Sequence, residues 1–281
     1  MTGRSFRNII YAKDDETGIA QITLNRPEIK NALTIVLTLE LGDAVEQAAL
    51  DDGVKGLIIT GAKDPNSDDP TREAFSSGGY FDFSEVEALD EETKRRIDFQ
   101  DIALKKLCLR MWRLDKPVIV AMNGLAIGGG FTIPLACADL IYASEYAWAR
   151  LPFVRLGIAP ELASSFLLPR LVGFQKAKEI MFFGEKLSAE EMAAMGVVNK
   201  VLPHDELMPF VRERMLDLVP PRGPWQSVRQ TKAMLQKALI EEVTQALDRE
   251  NVVLNRLFSG ADFQEALTAR LEKRDPVFRG E

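Results

Sequence analysis

The chain has 281 residues, 46% hydrophobic and 27% charged, enough to bury one large core with a smaller C-terminal subdomain. A formal net charge of −7 and a pI near 5.1 argue against a basic nucleic-acid surface or a polybasic membrane patch, so neither nucleic acid nor membrane is expected as a partner. Cys108 and Cys137, the two cysteines, lie in apolar surroundings and read as reduced core thiols. The N-terminal MTGRSFRNII has no apolar leader core, Val118 to Ala143 is interrupted by glycines, Pro134 and Asp139, and the C-terminus is not a Ser-Lys-Leu signal, so a cytoplasmic protein is expected.

Ile9 to Ala12 and Gly18 to Leu24 flank an acidic turn and predict a β-hairpin, ended by Asn25-Arg26-Pro27. Thr34 suits the N-cap of a helix with Leu37, Leu41, Ala44, Val45 and Ala48 on one face. Gly56 to Gly61 is a compact buried strand, and the polar, proline-bearing stretch 62–73 is a surface loop. The glycine turn Ser76-Ser77-Gly78-Gly79 follows. Glu91 to Trp112 predicts one long surface helix before a continuous apolar strand, Val118 to Met122. That strand leads through Asn123-Gly124 and Gly128-Gly129-Gly130 into a helix from Phe131.

Leu140 to Ala143 is a further strand, 151–160 is irregular, and Glu161 to Leu171 is a helix stopped by Gly173. A helix over Gln175 to Phe183, a capping box at Ser188-Ala189-Glu190-Glu191 and a short strand from Val197 to Val201 complete the sequence-predicted core. Beyond His204 the pattern is helical, broken by Pro220-Pro221 and Gly223-Pro224. No internal repeat or low-complexity tract is visible.

The single histidine, His204, leaves no serine–histidine or zinc constellation with recognisable spacing, and it reads as a surface helix-cap residue. Gly124-x-x-x-Gly128-x-Gly130 also has the form of a dinucleotide turn, but over 120 residues precede it. The residues four beyond the tyrosines are Asp15, Ser84, Tyr146 and Arg150, so no Tyr-x-x-x-Lys pair exists. What remains is a strand–glycine–helix turn, which is either a packing device or a site whose unpartnered backbone N–H groups take an anion or a developing oxyanion as natural guest.

Six stretches together resemble the crotonase (enoyl-CoA hydratase/isomerase) superfamily. They are ITLNRPEIKNAL from Ile22, AFSSGGYF from Ala74, KPVIVAMNGLAIGGGF ending at Phe131, LGIAPELASSFLLPRLVG from Leu156, LSAEEMAAMGVVNKVLP from Leu187 and LEKRDPVFRG near the end. The resemblance implies an α/β fold, a spiral of ββα units over 1–203 carrying an acyl-CoA site, and a helical C-terminal trimerisation region over 204–281. It also implies a homotrimer or dimer of trimers, an acyl-CoA thioester substrate and no separate cofactor or metal, since the substrate carries coenzyme A. The amides matching Ser77 and Gly129 are expected to form an oxyanion hole, with Ala74, Ser76, Ser77, Gly78, Gly79, Tyr80, Gly128 and Gly129 lining the ligand. Arg26, Lys30 and Lys273 are candidates for phosphate contacts.

Hydratases of this superfamily carry two glutamates, and here those positions fall on Thr132 and Phe153, neither of which is a general base near neutral pH. Pro160-Glu161-Leu162-Ala163-Ser164-Ser165 instead resembles the PE-x-x-SS segment of peroxisomal-type Δ3,Δ2-enoyl-CoA isomerases, whose catalytic glutamate matches Glu161. The resemblance therefore implies a one-base isomerase, with Phe131, Phe153 and Leu162 as apolar walls; a hydratase, or a non-catalytic acyl-CoA-binding protein on the same fold, are the alternatives. Tyr80 stands where the superfamily usually has aspartate, and Phe81 and Phe83 add bulk that bears on acyl preference.

Overall fold

A computed structural model of the chain describes residues 6–80 and 84–280. Its strands are β1 (Ile9–Asp14), β2 (Ile19–Leu24), β3 (Gly56–Gly61), β4 (Ala74–Ser76), β5 (Val118–Met122), β6 (Leu125–Ile127), β7 (Leu140–Ser144), β8 (Trp148–Arg150), β9 (Leu187–Ser188) and β10 (Lys200–Leu202). The helices are α1 (Ile35–Leu50), α2 (Ser84–Glu87), α3 (Glu91–Arg96), α4 (Lys105–Trp112), α5 (Gly129–Cys137), α6 (Ser164–Val172), α7 (Phe174–Phe183), α8 (Ala189–Ala194), α9 (His204–Leu216), α10 (Trp225–Lys237), α11 (Ile240–Phe258) and α12 (Ala261–Glu272).

Two sheets run through the core. One has the order β1-β2-β3-β5-β7-β10, parallel except for the opening hairpin; the other has the order β4-β6-β8-β9, antiparallel only at β8–β9. The pairs β3/β4, β5/β6 and β7/β8 each place one strand in each sheet before the chain turns into helix, so successive ββα units stack as parallel neighbours. Here is the repeat that the sequence does not display: its unit is a backbone path, and β4, β6 and β8 are only three residues long. β5 lies between β3 and β7 and is buried throughout, which accounts for its unbroken apolar run.

The expected hairpin, the Thr34 cap (its hydroxyl accepts from Leu37 N–H at 3.1 Å) and the Ser188–Glu191 capping box are all present. Three expectations are corrected. The long helix from Glu91 to Trp112 is broken: Asp98 and Asp101 carboxylates accept the N–H groups of Gln100, Lys105 and Lys106, and Leu104 takes a left-handed conformation. Competition by short acidic side chains for backbone donors is the physical reason. The helix expected from Glu161 begins at Ser164, and the strand expected from Val197 is confined to Lys200–Leu202, Val197 and Val198 being buried core residues ahead of it.

The helical C-terminal region packs on the spiral. Val243, Ala246, Leu247 and Leu254 of α11 and Phe263 of α12 belong to the main core cluster, and α11 contacts both α4 and α6. Met234, Leu235, Val252 and Leu271 stay well exposed, whereas Leu254 is fully buried and so offers no docking surface. Among the described residues, no helix is long and apolar enough to cross a membrane.

Candidate active site

Two glycine turns, after β4 and β6, and one carboxyl meet at one place. The first turn follows β4. Gly78 has φ +81°, and a Cβ there would sit 2.1 Å from the Ile127 carbonyl oxygen, so only glycine fits; the same position is 3.5 Å from the Gly129 nitrogen. The turn after β6 is thus in direct contact with the turn after β4. At Gly129 an added Cβ would lie 2.8 Å from Leu33 Cδ1 and 3.6 Å from Glu161 Oε1, which brings the carboxyl to the same spot.

The hydrogen bonds of the first turn decide which amides are free. Ser77 N–H donates to the Lys30 carbonyl at 2.9 Å, Gly78 N–H to Ser76 Oγ at 3.2 Å and Tyr80 N–H to the Leu33 carbonyl at 3.3 Å. Gly79 N–H has no partner among the described residues. The expectation that the Ser77 amide serves as a donor to ligand is therefore corrected: it is already bonded within the fold, and its hydroxyl donates to the Ile29 carbonyl at 3.1 Å. In the second turn, Phe131 and Thr132 N–H groups both donate to the Gly128 carbonyl, while Gly129, at the start of α5, has no partner among the described residues for its own N–H. Gly130 N–H likewise has no partner among the described residues; Gly79 and Gly129, on the two turns that touch, are the candidate pair of donors.

Glu161 is buried, and burial pushes its carboxyl up to about 8, opposed by a hydrogen bond from Thr132 and reinforced by the charge of Glu250. Thr132 Oγ1 donates to Oε1 and is also 3.3 Å from the Gly128 carbonyl. The chain around this carboxyl is irregular. Leu162 and Ala163 both have left-handed φ values, 54° and 56°, although neither is glycine. Each such residue costs roughly 1–2 kcal/mol. Opposing that cost, Ser164 donates its N–H and its hydroxyl to the Glu161 carbonyl at 3.0 and 2.6 Å, and Glu250 of α11 accepts from Ala163 N–H at 2.7 Å and Ser165 N–H at 3.1 Å. Hydrogen bonds to a charged group contribute roughly 1.5–3 kcal/mol each, enough to hold the turn.

The remaining expected residues have definite places. Ala74 and Ser76 are buried in β4, and the Phe131, Phe153 and Leu162 side chains are buried around the site, Phe153 Cε1 standing 3.8 Å from where a Gly128 Cβ would be. Phe81 and Phe83 lie outside the described residues. Arg26 is not a free cation: it donates to Glu28 at 2.5 Å, Glu85 at 2.7 Å and Asn8 at 3.2 Å.

His204 opens α9 as expected, but its ring is engaged, with Nδ1 3.0 Å from Ser144 Oγ and Nε2 3.4 Å from Glu73 Oε1. Ser144 is fully buried, so no acyl group can reach that hydroxyl. Leu33, Glu250 and Asn251 are residues that the sequence reading missed. Glu250 carried a signal: with Val243, Leu247 and Leu254 it falls on the buried stripe of α11, where a charge needs a partner.

Chemically, the arrangement can polarise a carbonyl oxygen with two backbone donors and move a proton at a neighbouring carbon with one carboxyl of raised proton affinity. Comparisons with known proteins show the family of the chain. The family model described as enoyl-CoA hydratase/isomerase matches residues 14–281. A probable enoyl-CoA hydratase of Mycobacterium tuberculosis is 35% identical over 279 residues, covering 98% of this chain and 94% of that protein. The crotonyl-CoA hydratase of Syntrophomonas wolfei is 32% identical over 275 residues, covering 98% of each. A crystal structure of an enoyl-CoA hydratase from Mycobacterium avium subsp. paratuberculosis superposes with a TM-score of 0.81 at 30% identity, covering 98% of this chain and 100% of that one.

Proposed function

The chain belongs to the enoyl-CoA hydratase/isomerase family, and from that premise we propose that it is a Δ3,Δ2-enoyl-CoA isomerase with Glu161 as its acid–base residue. The observation that carries this reading is the pairing of one buried carboxyl beside Gly129 with Thr132 and Phe153 at the two positions where hydratases have glutamate.

In the proposed reaction the thioester oxygen accepts hydrogen bonds from Gly79 and Gly129 N–H. The Glu161 carboxylate removes a proton from C2, the C3=C4 electrons delocalise into a dienolate whose charge rests on the thioester oxygen, and Glu161 returns the proton to C4 as the C2=C3 bond forms. Each well-placed donor contributes about 3 kcal/mol to such a barrier. One base suffices because the same carboxyl gives back what it takes. Hydration would need a second group to activate water at C3, and Thr132 and Phe153 supply none. The apolar walls disfavour water and raise the carboxyl's proton affinity, which suits proton return.

By family analogy, the adenine end of coenzyme A lies beside 74–79, with Lys30 and Lys273 as the candidate phosphate contacts. The exposed Met234, Leu235, Val252 and Leu271 support a self-associated form; light scattering that finds a monomer at micromolar concentration contradicts it.

The deciding experiment compares a 3-enoyl-CoA with a 2-enoyl-CoA in water. Isomerisation of the first with little 3-hydroxyacyl-CoA from the second is the expected result. Robust hydration of the 2-enoyl thioester that persists in Glu161→Gln overturns the assignment, because another residue must then activate water.

A further inference from the structure

Family membership accounts for the glycine turns and for a carboxyl beside them, but not for a second buried carboxyl on the C-terminal helix α11, aimed at the chain segment that carries the first. We propose that Glu250 is a positioning residue for Glu161, and that α11 thereby completes the active site as well as packing against it. This rests on the reading of Glu161 as the acid–base residue.

The contacts are specific. Glu250 Oε2 accepts from Ala163 N–H at 2.7 Å, and Oε1 accepts from Ser165 N–H at 3.1 Å and Ser165 Oγ–H at 2.5 Å. Ala163 is the N-cap of α6 and has no side chain able to cap it, so Glu250 performs that task from another helix. The adjacent residue of α11 works on the same turn by another route. Asn251 Oδ1 accepts Ala103 N–H at 2.7 Å, and the Ala103 carbonyl accepts Leu162 N–H at 3.3 Å. Both left-handed residues that follow Glu161 are thus held by consecutive residues of one helix.

Charge gives the contact a second consequence. Burial pushes the Glu250 carboxyl up, but its three donors and Arg249 pull it back, and two of those donors are backbone N–H groups that select the ionised form. The ionisable groups around Glu161 are Glu250 from α11 and the Cys108 thiol of α4, which is hydrogen-bonded to Cys137 of α5, buried and pushed well above the ordinary thiol value. That thiol stays neutral, so Glu250 is the charge that Glu161 feels. Removing it relieves a like-charge repulsion and lowers the proton affinity of Glu161.

The test uses Glu250→Gln and Glu250→Asp in the full chain. Glu250→Gln is expected to lower the limiting, pH-independent turnover of 3-enoyl-CoA by about tenfold or more, because a misplaced base loses rate steeply. Its acidic limb is expected to move down by about half a pH unit or more. Glu250→Asp keeps the charge but withdraws it by one methylene, so turnover falls while the limb stays near its wild-type position. A merely structural role cannot separate the two variants in this way. Wild-type turnover in both overturns the proposal, as does an unmoved limb in Glu250→Gln; if Glu250→Gln does not fold, unchanged turnover in Glu250→Asp overturns it alone. Carbon-13 titration of the Glu161 carboxyl, assigned with Glu161→Gln, reads the same shift without substrate. A wild type that isomerises nothing therefore sinks the isomerase reading while the Glu250 contact is still decided.

Discussion

The two glycine turns and the turn that carries Glu161 both hold a functional group in a strained or crowded place, by opposite means. At Gly78 and Gly129 room is made by leaving side chains out: at Gly78 the Ile127 carbonyl approaches to a distance that a Cβ would forbid, and at Gly129 the Leu33 side chain and the Glu161 carboxyl take the space. At Leu162 and Ala163 side chains are kept in left-handed conformations, and the strain is offset by contacts brought from far along the chain, chiefly from Glu250. The first solution is local, and at Gly78 it tolerates no side chain. The second is distributed, and each partner can be weakened by degrees.

The largest effect is therefore expected at the local solution. Gly129→Val puts a branched side chain where even a Cβ would lie 2.8 Å from Leu33 Cδ1, directly over the donor amide. Turnover is expected to fall by ~10³-fold or more, because the donor is lost and the reacting carbonyl is displaced. Circular dichroism checks that the fold persists. Activity within about tenfold of wild type would show that Gly129 does not border the reacting thioester.

Glu161→Gln addresses the other turn. The amide preserves shape but cannot accept a proton, so isomerase turnover is expected to fall by ~10²-fold or more while acyl-CoA affinity changes little. The same substitution should stabilise the protein at alkaline pH. With the folded-state carboxyl at about 8 against an ordinary 4.5, the native state keeps a proton that the unfolded chain has released. Wild-type stability thus falls as pH rises through that window, by a few kcal/mol in all, roughly, and the Glu161→Gln variant escapes the loss. Urea unfolding at pH 5 and pH 9 reads this: the gap between variant and wild type must open at the higher pH, and an equal gap at both would mean that the carboxyl is not buried as described.

Donor identity can be separated within a single turn. Replacing the Gly79 amide by an ester removes an N–H that has no partner among the described residues, and turnover is expected to fall by about 10²-fold with little change in stability. An ester at Ser77 removes the bond to the Lys30 carbonyl instead, with a loss of about 1 kcal/mol in unfolding and turnover within a fewfold of wild type. The reverse ranking would restore Ser77 as the donor.

This contrast also marks what was legible in the sequence. Glycine turns announce themselves because glycine is placed by local geometry, and β5, α1 and the capping box of α8 are read from periodicity and local caps. Which amide in the Ser77–Tyr80 turn is free is decided by Lys30 and Leu33, more than forty residues earlier, so residue type in the turn could not select Gly79 over Ser77. The backbone at Glu161 departs from the helical turn that its sequence suits for the same reason: proline followed by an acid favours a helix start, and the partners that override it sit at Ala103 and Glu250. The three-residue strands β4, β6 and β8 are too short to show a period.

The smallest expected effect concerns the Thr132 hydroxyl. Its Oγ1 donates to Glu161 Oε1, and this bond favours the ionised carboxyl against the pull of burial and of Glu250. Thr132→Val keeps the shape, removes the donor and so raises the carboxyl further above about 8. Only the ionised form accepts the C2 proton, so kcat/KM should rise with pH along a limb displaced upward from wild type, opposite in sign to the displacement expected for Glu250→Gln. The loss should be about threefold to tenfold at pH 7, where the ionised fraction is limiting, and should shrink as pH rises past the limb. A uniform loss at every pH would mean that the hydroxyl orients the carboxyl without tuning it, and a limb displaced downward would mean that Thr132 does not donate to Glu161 in the active protein.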